Sequence, residues 1–177
     1  MKKLLLALPL TAALLLGACG ETAVEKVEKS EAPAAAENSN KDEVKKEEVK
    51  KDEVFKVGDV VKINDIEYKI KSATLGNGSQ YIKPKSGKVL TLSIEVHNKS
   101  ESKTFVSSGE FNLYKGDDQA ESYFGSGDKT LMGDLNKGKK TTGVVEFDVA
   151  GPGTYELIYT PSFSLDNKEV KWNIKVK

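Results

Sequence analysis

The chain has 177 residues and no net charge, with 27 basic side chains against 27 acidic ones, and every basic residue is a lysine. A balanced charge supplies no steering field toward nucleic acid, and the planar arginine fork that reads guanine and phosphate is missing, so nucleic acid is excluded as a partner class. A single cysteine, Cys19, and a single histidine, His97, exclude an internal disulfide, a zinc site and the Ser–His or Cys–His pairs of nucleophilic catalysis.

Lys2 and Lys3 open the chain, Leu4 to Leu16 is an apolar run, and the small residues Gly17 and Ala18 precede Cys19. This is the layout of a secretory signal peptide over residues 1–18, and the apolar run is shorter than the roughly 20 residues that span a bilayer. Leu16-Gly17-Ala18-Cys19 resembles the lipobox of bacterial lipoproteins. The resemblance implies lipidation of Cys19, cleavage before it, and a partner membrane on the extracytoplasmic side. The competing expectation is an ordinary signal peptide cut near Ala18 with Cys19 incidental.

Residues 19–56 read as a stalk, rich in Ala, Glu, Lys and Ser, with no aromatic before Phe55. Such a composition buries too little apolar surface to fold by itself. It contains a repeat, Lys41-Asp42-Glu43-Val44-Lys45 and its two successors, with valine every fifth residue. On a helix that spacing turns each valine by about 140° and builds no stripe. Pairs such as Asp42 with Lys46 and Glu47 with Lys51 allow a solvated, partly formed helix. The expected role is a spacer, reaching roughly 35 Å as a coil and at most about 120 Å extended.

From residue 57 to 177 the pattern is that of strands. Val60 to Ile63 comes first. Ile66, Tyr68 and Ile70 then alternate with Glu67, Lys69 and Lys71, and Leu90, Leu92, Ile94 and Val96 alternate with Thr91, Ser93, Glu95 and His97. Phe111 and Leu113 begin another run. Val145, Phe147 and Val149 alternate with Glu146 and Asp148, Tyr155, Leu157 and Tyr159 follow, and Val170, Trp172, Ile174 and Val176 end the series. Turns are expected at Asn64-Asp65, at Gly76-Asn77-Gly78 and Gly116-Asp117-Asp118 as tight hairpins, and at Gly151-Pro152-Gly153; Thr130 to Asn136 is the one stretch with room for a helical turn. Strands with one buried face each pack as two antiparallel sheets, an all-β immunoglobulin-like sandwich; a closed barrel is the alternative.

The runs Gly58-Asp59-Val60-Val61, Ile66-Glu67-Tyr68-Lys69-Ile70, Lys85 to Leu90 continuing through Ile94 to Ser100, and Lys137-Gly138-Lys139 leading to Gly143 through Val149 resemble, over residues 57–160, the telokin-like immunoglobulin-fold family of unknown function. That family is common in lipoproteins of low-GC Gram-positive bacteria and related in fold to a mycobacterial secreted antigen. The resemblance implies a fold and an address, and brings no catalytic residue with it.

Few residues suggest chemistry. His97 falls on the outward phase of its strand. Ser-x-x-Lys occurs at Ser100–Lys103 and Ser126–Lys129, the spacing of penicillin-recognising enzymes, but without a helix to bring the pair together. Gly125 to Thr130 is faintly like a phosphate loop yet lacks the Gly-Lys ending, since Asp128 intervenes. Asn77-Gly78-Ser79 and Asn98-Lys99-Ser100 match the glycosylation sequon, a signal without weight in a bacterial chain. The stretch 116–136 collects Asp117, Asp118, Glu121, Asp128 and Asp134 with Tyr123 and Phe124. Its oxygens suit calcium, and its aromatics suit a partner-binding loop. The expectation is therefore a non-enzymatic module for a protein or cell-wall partner, with Asp117, Asp118, Tyr123, Phe124 and Asp128 as the candidate surface and no cofactor. A small-ligand or calcium-binding lipoprotein is the alternative, and a serine hydrolase a weaker one.

Overall fold

The computed structural model describes residues 24–27, 53–162 and 169–177. Cys19, the signal peptide and the Lys/Glu repeat lie outside the described residues. Within them the first sheet runs, in spatial order, β1 (Val24–Val27), β3 (Val60–Ile63), β4 (Ile66–Gly76), β5 (Lys88–Asn98), β11 (Lys140–Val149) and β9 (Glu121–Ser122). The second runs β2 (Val54–Lys56), β13 (Val170–Val176), β12 (Gly153–Tyr159), β7 (Phe111–Lys115) and β8 (Asp118–Gln119). A two-stranded ribbon joins β6 (Thr104–Ser107) to β10 (Met132–Leu135). Pairing between these strands is antiparallel except for β2 on β13, which is parallel.

The expected immunoglobulin-like sandwich is the fold observed. Alternation explains it: Leu92, Ile94 and Val96 point inward from β5 and are fully buried, while Ser93, Glu95 and His97 between them are not. Each such aliphatic side chain stabilises the fold by about 1.5–3 kcal/mol, an upper bound because the unfolded chain is itself partly compact. Where the chain crosses from β11 to β12, the Tyr155 hydroxyl donates to the Gly151 carbonyl at 2.5 Å. A tyrosine reaching back to the backbone at such a crossing is a device of immunoglobulin-type sandwiches. The β3–β4 turn is the two-residue hairpin that Asn64-Asp65 suggested, with φ of 49° and 62° at the two positions.

Four local expectations give way to tertiary context. The domain begins before residue 57, because Phe55 on β2 is buried against Trp172 with ring centroids 5.9 Å apart. Val24–Val27, assigned by composition to the stalk, pairs with β3 and buries Val24. Residues Met132–Leu135 form strand β10 rather than a helical turn, because β6 offers a complete partner edge. Finally, Gly76-Asn77-Gly78 does not close a tight hairpin: residues 77–87 form a long connection between β4 and β5.

At the sandwich centre the hydroxyls of Tyr68 and Tyr159 share a hydrogen bond of 2.7 Å, and Phe111 packs 4.9 Å from the Tyr159 ring. Burial pushes both hydroxyls well above the ordinary tyrosine value; the shared bond partly offsets this for Tyr68, and the neighbouring Tyr68 adds to it for Tyr159. The folded state therefore keeps protons that the unfolded chain releases above about pH 10, so stability is full below that pH and falls as pH rises beyond it. The expected loss is about 1.4 kcal/mol per pH unit for each buried hydroxyl. Denaturant midpoints measured across the alkaline range should fall more steeply for the native chain than for Tyr68→Phe/Tyr159→Phe.

Candidate functional site

The long strands β4, β5 and β11 place two sets of connections at opposite ends of the sandwich. One end carries residues 77–87 and the segment 123–130, and here the outward side of β11 departs from its sequence pattern. Glu146 and Asp148, on the polar phase of the strand, are nine-tenths buried. Asp148 accepts the backbone N–H groups of Lys85 at 2.5 Å and Ser86 at 2.9 Å. Glu146 accepts the Thr91 hydroxyl at 3.1 Å, the Ser126 N–H at 3.0 Å and the Ser126 hydroxyl at 2.7 Å. Carboxylate bonds to backbone N–H are among the stronger ones available, so the two acids clamp both loops onto the sheet.

Tyr123 ties the loops to each other. It is buried, its hydroxyl accepts the Ser79 N–H and donates to the Ile82 carbonyl, both at 2.6 Å, and its own N–H bonds the Glu146 carbonyl at 2.8 Å. Gly78 and Gly125 lie against it: a Cβ at Gly125 would sit 2.2 Å from a ring carbon, and one at Gly78 2.7 Å from the hydroxyl oxygen. The partner-anchor role expected for Tyr123 is thus corrected; its polar tip is spent on internal bonds and its ring is covered. Phe124 does point outward, 63% exposed. Sequence reasoning missed its companions Tyr81 and Ile82, 87% and 48% exposed on the neighbouring loop. Their only signal was an apolar pair without strand period inside a Gly/Ser/Pro/Lys segment. Beside them lies a cleft of about 260 Å³, bounded by Asn77, Ser79, Thr91, Ser126 and Glu146 among others.

The acidic candidates do not converge. Asp117 and Asp118 form the exposed β7–β8 hairpin, where Lys115 pairs with Asp118 and Gly116 takes a φ of 64°. Glu121 holds Lys85 at 2.6 Å, and that bond raises the lysine above its ordinary pKa. Asp134 holds Lys103 at 2.7 Å. The Asp128 side chain lies outside the described residues. No group of three or more His, Cys, Asp or Glu gathers around a metal-sized space among the described residues.

Neither Ser-x-x-Lys is assembled. Ser100 is bound to the Asn98 side chain and to the Ser102 carbonyl, while Lys103 is turned to Asp134. Ser126 donates to Glu146, a carboxylate that would also repel a phosphate from the loop that follows Gly125. His97 stands across the strand pair from Glu67, with Nδ1 3.3 Å from the carboxylate, as a half-buried surface pair. Asn98 is fully buried, which closes its sequon to any glycan.

A family model for DUF4352, a domain of unknown function, matches residues 55–170. No curated protein matches this chain. Among solved structures, the candidate lipoprotein ycdA of Bacillus subtilis is 28% identical over 63% of this chain, with a TM-score of 0.56. The match spans 37% of that longer protein, little more than a third of its length. The yjhA protein of Bacillus subtilis shares the fold at 21% identity and a TM-score of 0.54, over 70% of this chain and 100% of the other. A candidate lipoprotein of Staphylococcus aureus shares it at 18% identity and a TM-score of 0.50, over 67% and 88%.

Proposed function

The chain belongs to the DUF4352 family, and from that premise we propose that it is a lipid-anchored, extracytoplasmic protein whose sandwich, telokin-like in arrangement, binds a protein or cell-wall partner through its loop end and carries out no catalysis. The observation that carries the binding reading is the pairing of rigidity with exposure. Glu146, Asp148 and Tyr123 fasten the two loops from beneath, and those loops hold Tyr81, Ile82 and Phe124 in solvent. Aromatic anchors on a pre-ordered support lose little entropy on binding. The address is supported by the Leu16-to-Cys19 tetrapeptide and by the likeness to a candidate lipoprotein.

The test uses the soluble chain from residue 20 onward against isolated cell walls and against surface-protein extract. Saturable binding to one of them is expected, with Tyr81→Ala/Phe124→Ala reducing it at least tenfold, the scale of a lost hot spot. The melting temperature should hold, because exposed positions rarely shift stability by more than about 0.5 kcal/mol. Binding that ignores the double substitution removes the loop end as the surface. For the anchor, Cys19→Ala should shed the protein into the medium or leave it unprocessed, and retention of the variant on washed membranes would overturn lipidation.

A second reading, capture of a small polar ligand, is favoured by the cleft beside Glu146. It is separated from the first because Glu146→Gln should then abolish binding while the double aromatic variant leaves it intact.

A further inference from the structure

The cleft at the loop end has one side that accepts hydrogens and another that offers them. Glu146 spends three of its about four acceptor positions on the Thr91 hydroxyl, the Ser126 hydroxyl and the Ser126 N–H, so one oxygen lone pair remains. Thr91 and Ser126 give their hydroxyl hydrogens to Glu146 and keep lone pairs of their own. Glu146 on β11, Thr91 on β5 and Ser126 fastened to them therefore present acceptors.

The loop after β4 is the reverse. Ser79 Oγ accepts the Tyr81 N–H at 3.2 Å and the Ile82 N–H at 3.0 Å, which fills its lone pairs. Its hydrogen meets no acceptor among the described residues. Asn77 Oδ1 takes the Lys88 ammonium at 2.7 Å. An ammonium only donates, so this contact fixes the amide oxygen on the lysine side. The Asn77 NH2 then meets no acceptor among the described residues. Asn77 and Ser79 present donors.

The volume of about 260 Å³ lies below the roughly 300–1,000 Å³ that encloses a whole drug-sized molecule. A terminal group of a larger ligand suits such a space. That group needs an N–H for the Glu146 side and an oxygen for the Asn77 side. An ammonium satisfies only the first. A carboxylate or phosphate satisfies only the second, and the Glu146 charge repels it. A secondary amide satisfies both, because its N–H and C=O point in opposite directions. An acetamido group carries this amide at a chain end, with a methyl for Val89, which also borders the cleft. A peptide bond has chain on both sides and does not enter end-on.

We propose that the cleft takes the acetamido group of an N-acetylated amino sugar, so that the loop end docks on the glycan chains of a cell wall. The proposal rests on the second reading, in which the cleft captures a polar ligand.

The probes are tri-N-acetylchitotriose and cellotriose, sugars of one linkage that differ by an acetamido group in place of a hydroxyl on each ring. Each is titrated into the soluble chain from residue 20 onward. The first should shift the amide resonances of Asn77, Gly78, Ser79 and Ser126 saturably. The second should bind at least tenfold more weakly, the scale of a lost hydrogen bond to a charged group. Asn77→Asp keeps the bond to Lys88 but puts an oxygen where the NH2 was, and should lower affinity for the acetylated trimer about tenfold. Thr91→Val keeps the strand and removes an acceptor, and should lower it by roughly threefold or more. Neither variant touches Glu146, whose loss would also loosen the 123–130 segment.

Equal affinity for the two trimers overturns the proposal, as does the absence of saturable shifts at those amides with millimolar probe. Trialanine bound more tightly than the acetylated trimer would assign the cleft to a peptide; the cleft reading then survives and the sugar does not. Binding to isolated cell walls that ignores Glu146→Gln removes the cleft reading itself, and the proposal with it.

Discussion

Phe55→Ala is expected to destabilise the domain by about 3–5 kcal/mol, the cost of emptying a large aromatic site in a core. The ring is 1% exposed and packs on Trp172, which is fully buried in β13. The register puts Phe55 directly opposite Trp172, so the two rings close one side of the sandwich together. A chain truncated to begin at Val57 loses both this ring and the parallel pairing of β2, and should be at least as unstable as the point variant. Against a total of about 5–15 kcal/mol for a natural domain, either change is a large fraction. A fall in Tm of the order of 10 °C or more is expected by calorimetry. A truncated chain that melts with the full one would mean that β2 is an accessory to the core and not part of it.

Asn98→Ala is expected to cost about 1–3 kcal/mol, because it takes its donor from the buried bond to the Leu135 carbonyl. Its amide donates to the Ser102 and Leu135 carbonyls, both at 2.8 Å. Its side-chain oxygen accepts the Ser100 N–H at 3.0 Å and the Ser100 hydroxyl at 2.7 Å. One side chain thus holds the turn after β5 and the end of β10. Asn98→Asp preserves the acceptor while facing a second oxygen toward two carbonyls, and should be at least as damaging. Urea midpoints of the two variants check this, and an unchanged midpoint for either would show that water replaces the amide without loss.

The strands that carry the sandwich were legible because their signal is local. Leu90 through Val96 and Val170 through Val176 alternate with period two, and each side chain's face follows from the pleat alone. The Asn64-Asp65 hairpin was legible for the same reason, since the turn type needs two residues that tolerate positive φ. Short strands such as β6, β9 and β10 carry no such period; they are strands because a partner edge lies beside them.

The candidate site was legible only in part. The stretch around Tyr123 and Phe124 stood out by composition, and one of the two aromatics proves exposed. What composition could not tell was the division between them. Tyr123 is drawn inward by donors and acceptors on residues 79 and 82, far away in the chain. Glu146 and Asp148 had the outward phase of a strand, and they are covered because two loops find in them the acceptors their backbone N–H groups need.

Sequence by itself determined the strand-forming runs, the all-β class and the expectation of a lipid on Cys19, because composition, period and short motifs are properties of neighbouring residues. Tertiary structure alone decided that β1 and β2 belong to the sandwich, that the Lys/Glu repeat is an insertion between them, and which side chains the loop end exposes. Those outcomes depend on contacts between residues tens of positions apart, whose energies no local pattern records.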